Sequence, residues 1–207
     1  NERKEIVALY KKLIRSTSSF IKKEDIEEIK RLFVLIGNCK QLPDTPIHPI
    51  LTMLNTLLIL VNEMGQGRKA LFSLVLFNAI NVGVIDPDII EEKYGEEIAG
   101  IINGLLRAQS LYAKHPSIES ENFRVLFLSF AHDLRVILII TADRLYSMRN
   151  LKYYPEQDRI PMAREASYFY AAMAHRLGLY TIKSELEDLS LKFLNPDIYK
   201  EIARKLN

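Results

Sequence analysis

Imidazole nitrogens and carboxylate oxygens are the groups in this sequence from which reactive chemistry could be built, and they recur in four places. His48 precedes Pro49, and His132 adjoins Asp133. Asp143 precedes Arg144, with Ser147, Arg149 and Asn150 close behind. His175-Arg176 stands ahead of Glu185, Glu187 and Asp188. Such donors, when they converge on one divalent cation, turn a bound water into a nucleophile and polarise a phosphate. Other chemistries find little support. Cys39 is the only cysteine, so neither an internal disulfide nor a zinc site of several thiolates can form, and a small inert hydrophobe is its expected role. There is no Gly-rich phosphate loop. Tyr153-Tyr154 reads as packing at a loop rather than a base-stacking platform, and His115 as a solvated loop residue.

The elements that position these groups read as helices almost throughout. Ile6, Leu9, Leu13 and Ile14 form one amphipathic stripe, and Ile26, Ile29, Phe33 and Ile36 form a second that ends at Gly37-Asn38. His48-Pro49 opens a helix predicted to run to Met64 and stop at Gly65. Lys69 to Val82 is apolar nearly all round, the pattern of a buried helix. Asp86-Pro87 starts a short helix ending near Gly95, Glu96 to Tyr112 is another, and His115 to Ser120 reads as a loop. Asn122 to His132 and Leu134 to Leu151 follow. Within the latter, Val136 to Ile140 would suit a buried strand, but the apolar pattern continues through Ala142, Leu145 and Met148 at helical period. Pro161 is expected to open a helix ending at Gly178, Thr181 to Leu194 comes next, and Asn195-Pro196 caps the last. The expectation is an all-α bundle of roughly ten helices, with neither linker nor repeat.

Composition agrees. Of 207 residues, 48% are hydrophobic and 26% charged, enough for a sizeable core, and the formal charge is only +2. So small a basic excess argues against direct nucleic-acid binding. The apolar runs are too short to span a bilayer, and the charged start is no signal peptide. A single cysteine and the missing leader predict a cytoplasmic setting. The absent initiator Met and the abrupt end at Leu206-Asn207 predict a single domain, residues 1–207, cut from a longer protein.

Three ordered signatures give these residues a context: Ala142-Asp143-Arg144-Leu145 with Met148-Arg149, then Ala174-His175-Arg176-Leu177-Gly178, then Glu185-Leu186-Glu187-Asp188-Leu189. They resemble the A-D-R-L-H-N-M-R, A-H-R-L-G and E-L-E-D-L signatures of RelA/SpoT homologues, the stringent-response (p)ppGpp synthetases and hydrolases. His48-Pro49 resembles that family's H-P element, and Tyr94-Gly95-Glu96-Glu97 its F-G-E-E. The resemblance runs from about His48 to the end. It implies an all-α HD-type domain that, in active members, uses manganese to remove pyrophosphate from the 3′ position of (p)ppGpp, followed in the same polypeptide by a synthetase domain (GTP pyrophosphokinase). It also implies that His175-Arg176 and the Glu185 cluster are structural, securing the helices that lead onward.

Against that pattern the reactive centre is eroded. Active members carry H-D-x-x-E-D on one helix, the His and first Asp binding metal and the Glu-Asp pair orienting and deprotonating water. The matching residues here are Phe77, Asn78, Asn81 and Val82: a ring without a lone pair, a neutral amide, and two groups unable to take a proton near neutral pH. His48 and Asp143 alone persist as remnants of the metal site, fewer than the three protein ligands usual at catalytic centres. Loss of the general base alone costs ~10²–10⁴ in rate. Tyr146 and Ser147 replace His and Asn of the signature, and Leu42 to Ile47 lacks the basic residues expected before the H-P element, leaving Lys40 the nearest. Arg144, Ser147, Arg149 and Asn150 are candidate nucleotide-binding remnants, although solvated arginines are the default. Without a metal, Asp143 and Arg144 are expected as a structural ion pair, or Asp143 as a buried hydrogen-bonded carboxylate. His48 has a second role as cap of its helix. The expectation is therefore a pseudo-hydrolase without cofactor that regulates a downstream synthetase. The alternatives are a divergent active metal-dependent (p)ppGpp 3′-pyrophosphohydrolase that recruits groups such as His132-Asp133, or a guanine-nucleotide sensor.

Overall fold

A computed structural model describes residues 2–40, 42–114, 125 and 132–206. The expected loop from His115 to Ser120, and the expected helix from Asn122 except Val125 and His132, lie outside the described residues. Among those described, the helices are α1 (Glu2–Thr17), α2 (Lys23–Gly37), α3 (Pro49–Leu58), α4 (Arg68–Asn81), α5 (Ile90–Tyr94), α6 (Glu96–Lys114), α7 (Leu134–Arg149), α8 (Glu156–Glu165), α9 (Ala171–Arg176), α10 (Tyr180–Leu194) and α11 (Pro196–Leu206). No strand occurs among them. The chain is all-α.

Local chemistry sets the boundaries. Asp133 caps α7 by accepting from the Arg135 N–H at 2.9 Å. Asp86 does the same for the 3₁₀ turn Pro87–Ile89 that leads into α5. Gly65 and Gly95 close their segments with φ of 65° and 91°, a region that favours glycine.

Two π turns break the regular winding. Ile59–Glu63 continues α3, and Ala166–Tyr170 joins α8 to α9. The α8 start differs from expectation: Pro155 stands at the boundary, and Pro161 lies inside the helix. Proline's fixed φ is itself helical. Its missing N–H removes only one backbone bond, and packing of the α8–α9 rod against α10 holds the helix through it.

The core is one contiguous cluster reaching from Leu13 to Leu186. α4 sits at its centre, with Leu71, Phe72, Val75 and Leu76 all but sealed from solvent. It packs on α2, α3, α6 and α7, while α3 lies between α1 and α7. α10 covers α7, α8 and α9, and α11 rests on α10. No helix among the described residues is long and apolar enough to cross a membrane.

Candidate functional site

Three helix faces meet around a cavity of about 260 Å³. α4 contributes Leu74, Phe77 and Asn78, and α6 contributes Leu105, Ala108, Gln109 and Tyr112. These sit at spacings of three and four, so each set shares one face. α7 adds Ile139, Ile140, Asp143 and Arg144, and Tyr170 arrives from the second π turn. The aligned remnants Phe77, Asn78, Asp143 and Arg144 are thus brought together. His48, Asn81, Val82, Ser147, Arg149 and Asn150 are not among the lining residues.

Each remnant has a definite local role. Phe77 packs against the core and offers only its ring. The Asn78 Nδ2 donates to the Leu74 carbonyl at 2.9 Å, so its nitrogen is satisfied by its own helix and its Oδ1 remains as an acceptor. Asn81 is exposed at the end of α4, and Val82 is half-buried and accepts at its carbonyl from the Cys39 thiol at 3.4 Å.

His48 caps α3, as its position before Pro49 suggested. Its Nδ1 accepts from the Ile50 N–H at 3.2 Å. A neutral imidazole has one lone pair and one N–H. With the Nδ1 lone pair occupied, the proton sits on Nε2 and no lone pair is left for a metal.

Asp143 departs from expectation. It makes no ion pair with Arg144, and no hydrogen bond to its carboxylate forms among the described residues. Its side chain is open to solvent through the cavity it lines, with protein mass surrounding it in depth. Those low-dielectric surroundings push its carboxyl above the ordinary range, and Arg144 pulls the other way. Arg144 turns instead to Glu165, donating at 2.7 Å from Nη2, and its guanidinium lies 4.8 Å from the Tyr170 ring centroid. The Tyr170 and Tyr112 hydroxyls share a short hydrogen bond beside it. Burial raises the Tyr112 phenol far above its usual value.

The other arginine is no solvated side chain either. Arg149 holds Glu63 at 2.8 and 2.7 Å and Glu185 at 2.7 Å twice, tying the end of the first π turn to α10. Ser147 is buried and accepts from the Tyr154 hydroxyl at 3.1 Å, and the Asn150 amide donates to the Tyr146 carbonyl at 2.9 Å. Tyr153 is exposed, so only the second tyrosine of that pair packs as expected. Glu187 pairs with Lys183 one turn earlier, and His175 meets the Tyr180 ring edge-on.

Sequence reasoning missed Gln109, Tyr112, Glu165 and Tyr170. Gln109 and Tyr112 carried a signal, since they interrupt the apolar stripe of α6 at the spacing of Leu105 and Ala108. Glu165 and Tyr170 carried none, because a π turn sets them.

A family profile described as HD domain matches residues 38–180. The guanosine-3′,5′-bis(diphosphate) 3′-pyrophosphohydrolase of Aquifex aeolicus is 34% identical over 182 residues, covering 85% of this chain and 25% of the relative. The corresponding protein of Spiroplasma citri is 34% identical over 163 residues, 77% of this chain and 21% of the relative. The GTP pyrophosphokinase of Myxococcus xanthus is 30% identical over 152 residues, 72% of this chain and 20% of the relative. The chain spans about a quarter or less of the length of these relatives.

Proposed function

This chain belongs to the RelA/SpoT-type HD-domain family, and from that premise we propose that it is a hydrolase-like domain that no longer hydrolyses (p)ppGpp and instead regulates a (p)ppGpp synthetase domain in the same polypeptide. One observation carries the reading: Phe77 and Asn78 stand on the cavity wall at the positions where the family signature has its metal-binding His and Asp. The residues present do not fit manganese. A phenyl ring has no lone pair, the Asn78 nitrogen is bonded to Leu74, and the His48 lone pair caps α3. Among the described residues no three His, Cys, Asp or Glu side chains converge as a metal site would need. Asn81 and Val82 leave no base to take a proton from water.

The regulatory half of the proposal rests on the longer relatives, two of them named as hydrolases and one as a GTP pyrophosphokinase. A domain without its own turnover acts by making different contacts with two states of its neighbour. The setting proposed is the cytoplasm.

An active metal-dependent 3′-pyrophosphohydrolase is the second reading, favoured by the unpaired carboxylate of Asp143 facing the cavity. Its recruited groups count against it: Asp133 is committed to the α7 cap and to Arg135 at 2.8 Å, and His132 is exposed. Incubation with manganese and (p)ppGpp, following pyrophosphate release, separates the two. No release is expected. Manganese-dependent turnover abolished by His48→Ala would overturn the proposal, and so would a longer chain whose synthetase activity is unchanged by deleting residues 1–207.

A further inference from the structure

The charge of the cavity runs opposite to what a phosphate requires. Asp143 is its one ionised wall group without a counter-charge among the described residues, because Arg144 is neutralised by Glu165 and laid over the Tyr170 ring. The polar atoms left facing inward are acceptors for the most part: the Asp143 carboxylate and the Asn78 Oδ1, whose amide nitrogen is already used. Gln109 stands exposed at the rim. Between these groups the walls are apolar, formed by Leu74, Phe77, Leu105, Ala108, Ile139 and Ile140. The volume of about 260 Å³ lies just under the ~300–1,000 Å³ of pockets for drug-sized ligands. At ~30 Å³ per water it equals roughly nine waters, enough for one ring with a short head group.

We propose that this cavity is a binding site for a compact organic cation, a flat or aliphatic apolar body carrying an amine or amidine that donates to Asp143 and Asn78. The inference rests on the reading that the metal site has been lost, since a manganese ion on Asp143 would cancel the charge that attracts the ligand. The ligand's N–H groups meet acceptors rather than the donors a phosphate needs, and a charge-assisted bond to a carboxylate is about twice as strong as a neutral one. The ring gains contact with Phe77 and the aliphatic walls. An anion of the same shape loses on both counts.

Calorimetric titration with benzamidine, its anionic counterpart benzoate, neutral benzyl alcohol and inorganic pyrophosphate tests this directly. Benzamidine alone binds measurably. Asp143→Asn weakens it by about tenfold or more, and Gln109→Trp, which screens the mouth from an exposed position, blocks it while circular dichroism stays unchanged. Equal binding of benzoate, benzyl alcohol or pyrophosphate, unaltered affinity in Asp143→Asn, or no benzamidine binding at all overturns the inference. The pyrophosphate-release assay run on the same sample keeps the two ideas apart. Manganese-dependent release defeats the loss of the metal site, whereas absent benzamidine binding without release defeats only the cation site.

Discussion

Gly104 lies on α6 where that helix crosses α7, and a Cβ built there would stand 2.6 Å from the Val136 Cγ2. Replacing Gly104 with alanine sets two effects against each other. In an exposed helix alanine is favoured over glycine by ~1 kcal/mol. At this crossing the added methyl overpacks a closed interface, which costs ~1–3 kcal/mol. Val136 cannot yield cheaply, being 2% exposed and β-branched, with one strongly preferred rotamer in a helix. Steric cost should win, with a net loss of about 1–2 kcal/mol, or roughly 3–6 °C in Tm for a chain of this size. Val136→Ala alone opens a hole and costs roughly 1–3 kcal/mol. In the double variant the new methyl enters that hole, so the two losses combine to less than their sum by about 1 kcal/mol or more. Thermal and urea unfolding of the four proteins measure the cycle. A Gly104→Ala protein that melts higher than the parent, or additive losses, would falsify the close approach of α6 and α7, and with it the spacing of two of the cavity's walls.

Three further outcomes are expected. Arg149→Ala cuts the tie between Glu63 and Glu185 and lowers stability by about 1 kcal/mol, the partial exposure of all three groups limiting the effect; an unchanged urea midpoint counts against the bridge. Glu28, held down to about 2 chiefly by its hydrogen bond with Arg31 and further by Tyr94 and Lys93, stabilises the fold above the unfolded carboxyl value of ~4.3. That contribution fades as pH falls from there toward 2, so Glu28→Gln should flatten the acid limb of a stability–pH curve, and parallel curves would refute the assignment. Phe77→His combined with Asn78→Asp returns two donors to the wall that Asp143 shares. Manganese should then raise Tm in the double variant and leave the parent unchanged, and a shift of the parent by manganese would contradict the loss of the metal site.

The helices were legible because their burial is written in period: the stripes of α1 and α2 and the all-round apolar α4 reappear as buried faces. Capping chemistry placed α3, α7 and the turn before α5 to within a residue or two. Pro161 misled because a single lost backbone bond is weaker evidence than the packing of a whole rod, a quantity no local pattern carries. At the site, the alignment of signatures found Phe77, Asn78, Asp143 and Arg144 together. It did not find the partners. That Arg144 belongs to Glu165, and Arg149 to Glu63 and Glu185, depends on residues 21, 86 and 36 positions away in sequence, meeting only once the helices have crossed.

The π turn between α8 and α9 fixes the length of the chain at a place where nothing looks fragile. One residue is about 100° of helical rotation, and Ala166–Tyr170 stores one more residue than a regular turn would hold. Shortening the segment by a single position, at the half-buried Ser167 for instance, would rewind the rod and swing everything beyond it through that angle. Phe169 and Tyr170 would leave the core and cavity, or Ala163 and Ala166 would leave theirs. A deletion inside an uninterrupted stretch of helix thus acts here as a turn of a key, and insertions or losses should be tolerated in the loops on either side long before they are tolerated in this rod.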